Sequence, residues 1–244
     1  MRIVLVILFL IIFFIITIPL FLILKLIEVF APMKGSKASQ FVIKHSFSFL
    51  LRLSGAKRTV LGLENIPTDR PVLFTSNHRS YFDIALGYAT VPVVTGFVAK
   101  KEVSKVPGLN WWMTAVNCLF IDRKDMKQSL KVILAAIEKV KKGYSIFIMP
   151  EGTRNHSDEL LQFKEGSFKI ADKTGCPVVP VAISNSDGLY ELHKPWIKSA
   201  PVVIHYGEPI YLDDMERDER KNLAPKVMER ISAMLEEDKV YISG

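Results

Sequence analysis

Two side chains able to move a proton stand five positions apart in the stretch Ser76-Asn77-His78-Arg79-Ser80-Tyr81-Phe82-Asp83. On one continuous helix that separation would place them about 140° apart, at roughly 100° per residue, and on different faces. They meet if His78 lies in the loop leaving a strand at residues 72–75 and Asp83 stands in the first turn of the helix that follows. The carboxylate then holds one imidazole nitrogen and leaves the other for a substrate hydroxyl, which is how a general base is built. The pair also reads as a surface His beside an acid that favours a helix dipole. The segment alone does not separate the two.

Three further segments fall at expected strand ends, where α/β folds place ligands. Phe120-Ile121-Asp122-Arg123 is a strand ending in an acid and a guanidinium. In Met149-Pro150-Glu151-Gly152-Thr153-Arg154, Pro150 fixes the backbone and Gly152 permits positive φ or close approach, so N–H groups can converge on an anion. Arg154 adds a planar fork suited to two phosphate oxygens, and Glu151 can orient that fork or accept from a substrate hydroxyl. An ordinary turn with a solvated Glu and Arg is the plainer reading. Val178-Val179-Pro180-Val181-Ala182-Ile183 is an apolar strand with a Pro inside it.

The elements that must position these residues alternate between strand-like and helix-like from Thr59 onward, the pattern of an α/β layer domain. Strands are expected at 72–75, 96–99, 118–122, 145–149, 178–183 and 202–206. Several are almost wholly apolar, as strands covered on both faces are, so a mixed, largely parallel central sheet flanked by helices is expected. A helix capped by Asp125 should run to Lys142, with Met126, Leu130, Ile133, Leu134, Ile137 and Val140 at helical spacing and Gly143 as its stop. A last helix, near residues 214–237, should bury Leu223, Val227, Ile231 and Leu235.

The front of the chain differs in kind. Residues 3–24 are apolar except for Thr17 and Pro19, and at 1.5 Å per residue a helix there reaches about 33 Å, roughly a bilayer core. A cleaved signal peptide is disfavoured by the length of the apolar run and by the lack of a small-residue cleavage site. Pro32 and Gly35 should break the helix, and residues 36–53 read as a second one, with Lys37, Lys44 and Arg52 on a narrow polar stripe. Residues 1–58 are thus expected to form a two-helix membrane anchor and residues 59–244 the α/β domain. Whether the helices span the bilayer or lie in one leaflet stays open.

Charge supports that division. The formal net charge is +7, and residues 1–60 carry eight basic side chains against Glu28, so the remainder is neutral. A nucleic-acid binder carries its excess on the folded domain; here the excess borders a greasy segment, which points to anionic membrane lipid. By the positive-inside tendency the domain should lie on the cytoplasmic side. Cys118 and Cys176 show no CxxC spacing, so neither a disulfide framework nor a zinc site is indicated and the compartment reads as reducing. His45, His156, His193 and His205 have no ligand spacing. Trp111, Trp112 and Trp196 suit a core or a lipid interface equally.

Taken together, the four segments resemble the glycerolipid acyltransferase family. Its His-x-x-x-x-Asp block matches His78 and Asp83, with Asn77 in place. Its Phe-Ile-Asp-Arg block matches residues 120–123, and its Phe-Pro-Glu-Gly-Thr-Arg block matches Pro150, Glu151, Gly152, Thr153 and Arg154, with Met149 where Phe is usual. Ala99-Lys100-Lys101-Glu102 resembles a stretch between the first two blocks. The resemblance implies lysophosphatidic acid as acceptor and a fatty acyl thioester, acyl-ACP or acyl-CoA, as donor, with no cofactor. His78 would be the base and Asp83 its support, while Arg123 and Arg154 would clamp the phosphate, with Lys100 as a further cation. Gly152 and Thr153 would offer donors and Asn77 would brace the loop. Glycerol-3-phosphate or another lysophospholipid as acceptor, a thioesterase, and a membrane-anchored scaffold are the rivals.

Overall fold

Strands apolar on both faces need cover on both sides, and the computed structural model, which describes residues 1–157, 159–213, 215–216, 219–220 and 222–242, shows a seven-stranded sheet so covered. In chain order the elements are α1 (Arg2–Phe30), α2 (Pro32–Ser54), β1 (Ala56–Leu61), β2 (Leu73–Ser76), α3 (Phe82–Thr90), β3 (Thr95–Lys100), α4 (Leu109–Ala115) and β4 (Leu119–Ile121). They continue with α5 (Met126–Lys141), β5 (Ser145–Ile148), α6 (Lys169–Thr174), β6 (Val178–Ser184), β7 (Ala200–Tyr206) and α7 (Leu223–Glu237). The strand order is β1-β7-β6-β2-β5-β3-β4. Every neighbouring pair is parallel except β6 with β7.

The two-residue alternation of a strand sorts side chains into two cores. Phe74, Phe97, Phe147 and Val179 face α2, α3 and α4, and Phe147 lies between Phe97 and Phe74 with centroids 4.4 and 5.6 Å away. Leu73, Ile146, Ile148 and Val178 face α5, α6 and α7. Cys118 belongs to the first core and Cys176 to the second, both free and buried.

Three expectations need correction. The helix from the Asp125 cap is present, with the Asp125 carboxylate accepting from Lys127 and Gln128 N–H, but its buried face is Val132, Ile133, Ala136, Ile137 and Val140, whereas Met126, Leu130 and Leu134 are exposed. The six expected positions share one arc of about 120° at roughly 100° per residue, but the buried arc is turned from it toward Val132 and Ala136, which leaves Met126, Leu130 and Leu134 outside. Gly35 does not break a helix: the break is at Ala31, Pro32 opens α2, and a Cβ on Gly35 would lie 2.6 Å from Glu28 Cα. It marks where α1 and α2 cross closely. The last helix starts at Leu223 and buries Leu223, Val227 and Ile231, while the expected start near residue 214 falls partly outside the described residues.

Strand β1 is an addition, pairing in parallel with β7 so that Ala56 opposes Ala200 and Leu61 opposes His205. The expected boundary after residue 58 falls within it. Lys57 and Arg58, both exposed on this edge strand, hide the apolar alternation that marks its better-covered neighbours.

Helix α1 is long and apolar enough to cross a membrane. One side of it is nevertheless packed along its length: Val6 and Leu24 are buried, Phe9, Phe13, Phe14 and Phe21 lie against the core, and Thr17 Oγ1 accepts from Trp112 Nε1 at 3.2 Å. Trp112 is buried, and Trp111 stays exposed beside Phe21. Beneath, the buried Gln40 fastens α2 to the sheet, donating to Val93 C=O at 2.7 Å and accepting from Thr95 N–H at 2.8 Å. Replacing it by Leu strands both backbone groups. Gln40→Leu is expected to lower stability by about 1–3 kcal/mol, read as a shifted urea midpoint in detergent; an unmoved midpoint would mean that α2 docks without these bonds.

Candidate active site

The centre of the sheet is β2, all four of whose residues are buried between β5 and β6, and the chain that leaves its carboxyl end carries the His–Asp pair. His78 Nδ1 lies 2.8 Å from Asp83 Oδ2, and Asp83 is wholly buried in the first turn of α3. The same Oδ2 accepts from the N–H groups of Arg79 and Ser80, each at 2.8 Å. Three donors on one oxygen fix where the carboxylate can be, and with Nδ1–H donated to it the imidazole presents Nε2 as the basic nitrogen. The other oxygen, Oδ1, is buried with no hydrogen-bond partner among the described residues.

The backbone of His78 is held from the chain that follows β5. Its N–H donates to Glu151 Oε1 at 2.8 Å, and its C=O accepts from Asn155 N–H at 2.7 Å. Glu151 follows β5. Its Oε2 accepts from Leu161 N–H, so both carboxylate oxygens serve the main chain, and burial pushes its carboxyl above the usual range against the pull of those two donors. The expectation that Glu151 orients Arg154 or meets a substrate hydroxyl is therefore corrected: it braces His78. Asn77 acts likewise toward β6, its amide donating to Ile183 C=O and accepting from Ile183 N–H, each at 2.9 Å. It is buried, and both its amide atoms are engaged in bracing the loop.

The cations expected around the imidazole are not brought to one point. Arg154 leaves the turn after β5 and reaches toward β6, where Nη1 donates to Glu191 Oε1 at 3.2 Å and Nη2 to Tyr81 Oη at 3.0 Å, its guanidinium stacked 3.8 Å over the Tyr81 ring. Arg123 follows β4, three strand spacings from β2 or about 14 Å, on the side from which Arg154 turns away. It is half-buried and makes no hydrogen bond or ion pair among the described residues. Burial pulls its pKa down, with Glu102 the opposing charge. Lys100 pairs with Glu102 at 3.1 Å, both well exposed. Gly152 takes the positive φ expected of it, +73°, but its N–H donates to Met149 C=O at 3.0 Å and is not free for an anion. Thr153 is exposed beside it.

Several residues at this end of the sheet were not anticipated. A Cβ on Gly152 would meet Lys164 Nζ at 2.7 Å, so that ammonium lies over the turn. Asp187 and Glu191, in the chain leaving β6, take Arg79 and Arg154 as ion-pair partners. The available signal was their position just after the fourth segment, at the same carboxyl end as the other three. Near these residues is a cleft of about 370 Å³ bordered by Asn77, Arg79, Glu151 and Asn185. A larger one, about 630 Å³, lies among Lys37, Gln40, Phe41 and Arg70 at the strand starts, away from His78.

A buried Asp that holds a His at the carboxyl end of a central parallel strand is the arrangement a general base requires. The model of the family described as Acyltransferase matches residues 57–184, just over half of the chain, and the chain belongs to that family. Among its relatives are the 1-acyl-sn-glycerol-3-phosphate acyltransferases of Borreliella burgdorferi, 30% identical over 78% of this chain and 76% of the relative, and of Saccharomyces cerevisiae, 29% identical over 82% and 67%. The chloroplastic enzyme BAT2 of Brassica napus is 33% identical over 72% of this chain, which spans about half of that longer protein. In structure the chain is similar to the 1-acyl-sn-glycerophosphate acyltransferase PlsC of Thermotoga maritima, with a TM-score of 0.81, 29% identity and 98% of each chain covered.

Glu151→Gln tests the brace. An amide can accept from only one of the two N–H donors, so stability should fall by about 1–3 kcal/mol and turnover should fall with it, while the KM for the acceptor stays near the native value. A raised KM with normal turnover would return Glu151 to the substrate.

Proposed function

We propose that this protein transfers a fatty acyl group from a thioester, acyl-ACP or acyl-CoA, to the sn-2 hydroxyl of 1-acyl-sn-glycerol-3-phosphate, giving phosphatidic acid. The observation that carries the proposal is the 2.8 Å contact between His78 Nδ1 and the buried Asp83. The names of the relatives supply the substrate class.

In this mechanism Nε2 of His78 takes the hydroxyl proton as the oxygen attacks the thioester carbonyl. The tetrahedral oxyanion collapses, the carbon–sulfur bond breaks, and the imidazolium returns its proton to the departing thiolate; Asp83 stabilises the charged ring between the two transfers. A thiolate leaves readily, so no acyl-enzyme is required. Burial of both thiols agrees with this: it pushes Cys118 and Cys176 up, and Cys118 faces the phenol of Tyr88 within the core. Arg123, half desolvated and without an ion pair among the described residues, is one cation prepared for a phosphate. Arg154, Lys164 and Thr153 border the turn beside the imidazole, and Lys100 contributes at longer range. Asn77 and Glu151 hold the geometry, which is where positioning lends its rate advantage.

The anchor lies in one leaflet and does not span. Arg2 at one end of α1 approaches Gly55, Thr17 in the middle meets Trp112, and Glu28 at the other end crosses Gly35. A helix held at its middle by Trp112 of the domain, and at both ends by α2 and its C-cap, with α2 itself fastened to the sheet through Gln40, cannot cross without drawing the domain in. Its outward face, on which Ile7, Ile11 and Ile15 are exposed, then lies among acyl chains, and the basic N-terminal region meets anionic headgroups on the cytoplasmic side.

Purified protein offered lysophosphatidate, glycerol-3-phosphate and water as competing acceptors should acylate lysophosphatidate, and a preference for either rival would change the assignment. His78→Ala should lower turnover by at least ~10²-fold in a protein that still folds; a near-normal rate would remove the base. For the anchor, a cysteine introduced as Arg2→Cys should resist a membrane-impermeant thiol reagent applied outside intact cells. Labelling there would restore the spanning helix.

A further inference from the structure

The chain leaving β6 brings a buried acid to the catalytic end of the sheet. Glu191, whose side chain is 1% exposed, accepts from Ser80 Oγ at 2.6 Å through Oε2, and from Tyr81 N–H at 3.0 Å and Arg154 Nη1 at 3.2 Å through Oε1. Arg154 is held a second time by Tyr81, through its phenol oxygen and the face of its ring. Two of the five guanidinium N–H donors are thereby engaged, which leaves three for a ligand. Ser80 and Tyr81 belong to the loop that carries His78, whereas Arg154 comes from the turn after β5. One carboxylate thus joins a candidate phosphate ligand to the loop that sets the imidazole.

We propose that Glu191 is a positioning residue that fixes the separation of Arg154 from His78 and thereby selects acceptors whose phosphate and free hydroxyl are spaced as in 1-acyl-sn-glycerol-3-phosphate. This rests on the acyl-transfer reading of the site. A free arginine loses rotamer freedom when it captures an anion, whereas one already stacked and paired has lost it beforehand. The buried acid also offsets the charge of Arg154, so a phosphate is drawn less by net charge than by the directions of the three remaining N–H groups. Glu191 acts through Arg154 and the loop and has no contact with the reacting atoms.

Binding measured without turnover tests this. In the His78→Ala protein, with lysophosphatidate and uncharged monoacylglycerol as probes in detergent micelles, Glu191→Ala should weaken lysophosphatidate binding on the order of tenfold and leave monoacylglycerol binding nearly unchanged. Arg154→Ala should do the same, and the double variant should bind no more weakly than the poorer single one, because both changes remove one interaction. Glu191→Gln, which keeps the volume and one acceptor oxygen, should recover part of the loss, and it carries the same comparison should the alanine variant fail to fold. Equal weakening of both probes, additive losses, or unaltered lysophosphatidate binding overturns the proposal, as does a parent protein that binds no lysophosphatidate. A His78-intact protein that binds with the expected pattern yet transfers no acyl group would leave Glu191 in this role and remove the acyl-transfer reading instead.

Discussion

One carboxylate oxygen, Asp83 Oδ2, receives the imidazole of His78 and two backbone N–H groups, and the catalytic end of the sheet is arranged around keeping it there. A general base gains nothing from a flexible loop, because the proton it removes must lie within hydrogen-bond reach. The loop after β2 is accordingly tied on both flanks: Glu151 and Asn155 hold it from β5, and Asn77 holds it to β6. Two strands that carry no reacting group therefore determine where the reacting group stands. The central place of β2 in the strand order makes that double support available.

The charges at this end are arranged unequally. Arg79 and Arg154 are each matched with an acid from the chain leaving β6, Asp187 and Glu191, whereas Arg123 sits half-buried at the far edge without an ion pair among the described residues. A matched guanidinium is held in a fixed direction with its remaining N–H groups aimed, whereas a partly desolvated one without an ion pair keeps more of its charge for an incoming anion. The three arginines thus occupy different stations along the strand ends.

Much of this was legible in the order of residues. Six strands could be read because their apolar runs are continuous, and the meeting of His78 with Asp83 follows from a strand, a loop and a helix start. What escaped the sequence was long-range pairing. Nothing local in Glu151 says that both of its oxygens will face backbone N–H groups, one of them on His78, and nothing near Arg154 names Glu191. Strand β1 was hidden because the consecutive Lys57 and Arg58, one on each face of this edge strand, interrupt any apolar alternation. The face of α5 was misread because Val132 and Ala136 widen the apolar stripe on one side, and it is that side which is buried.

The parallel pairing of Ala56–Leu61 with residues 200–205 has an effect on the order of events during synthesis. The strand that follows the anchor directly can find its hydrogen-bonding neighbour only after most of the polypeptide has left the ribosome, since domains complete their folding as the required segments emerge. By then α1 and α2 have long been free to pack on one another. Closure of the sheet at this edge is therefore a late event, reached only once β7 has been made.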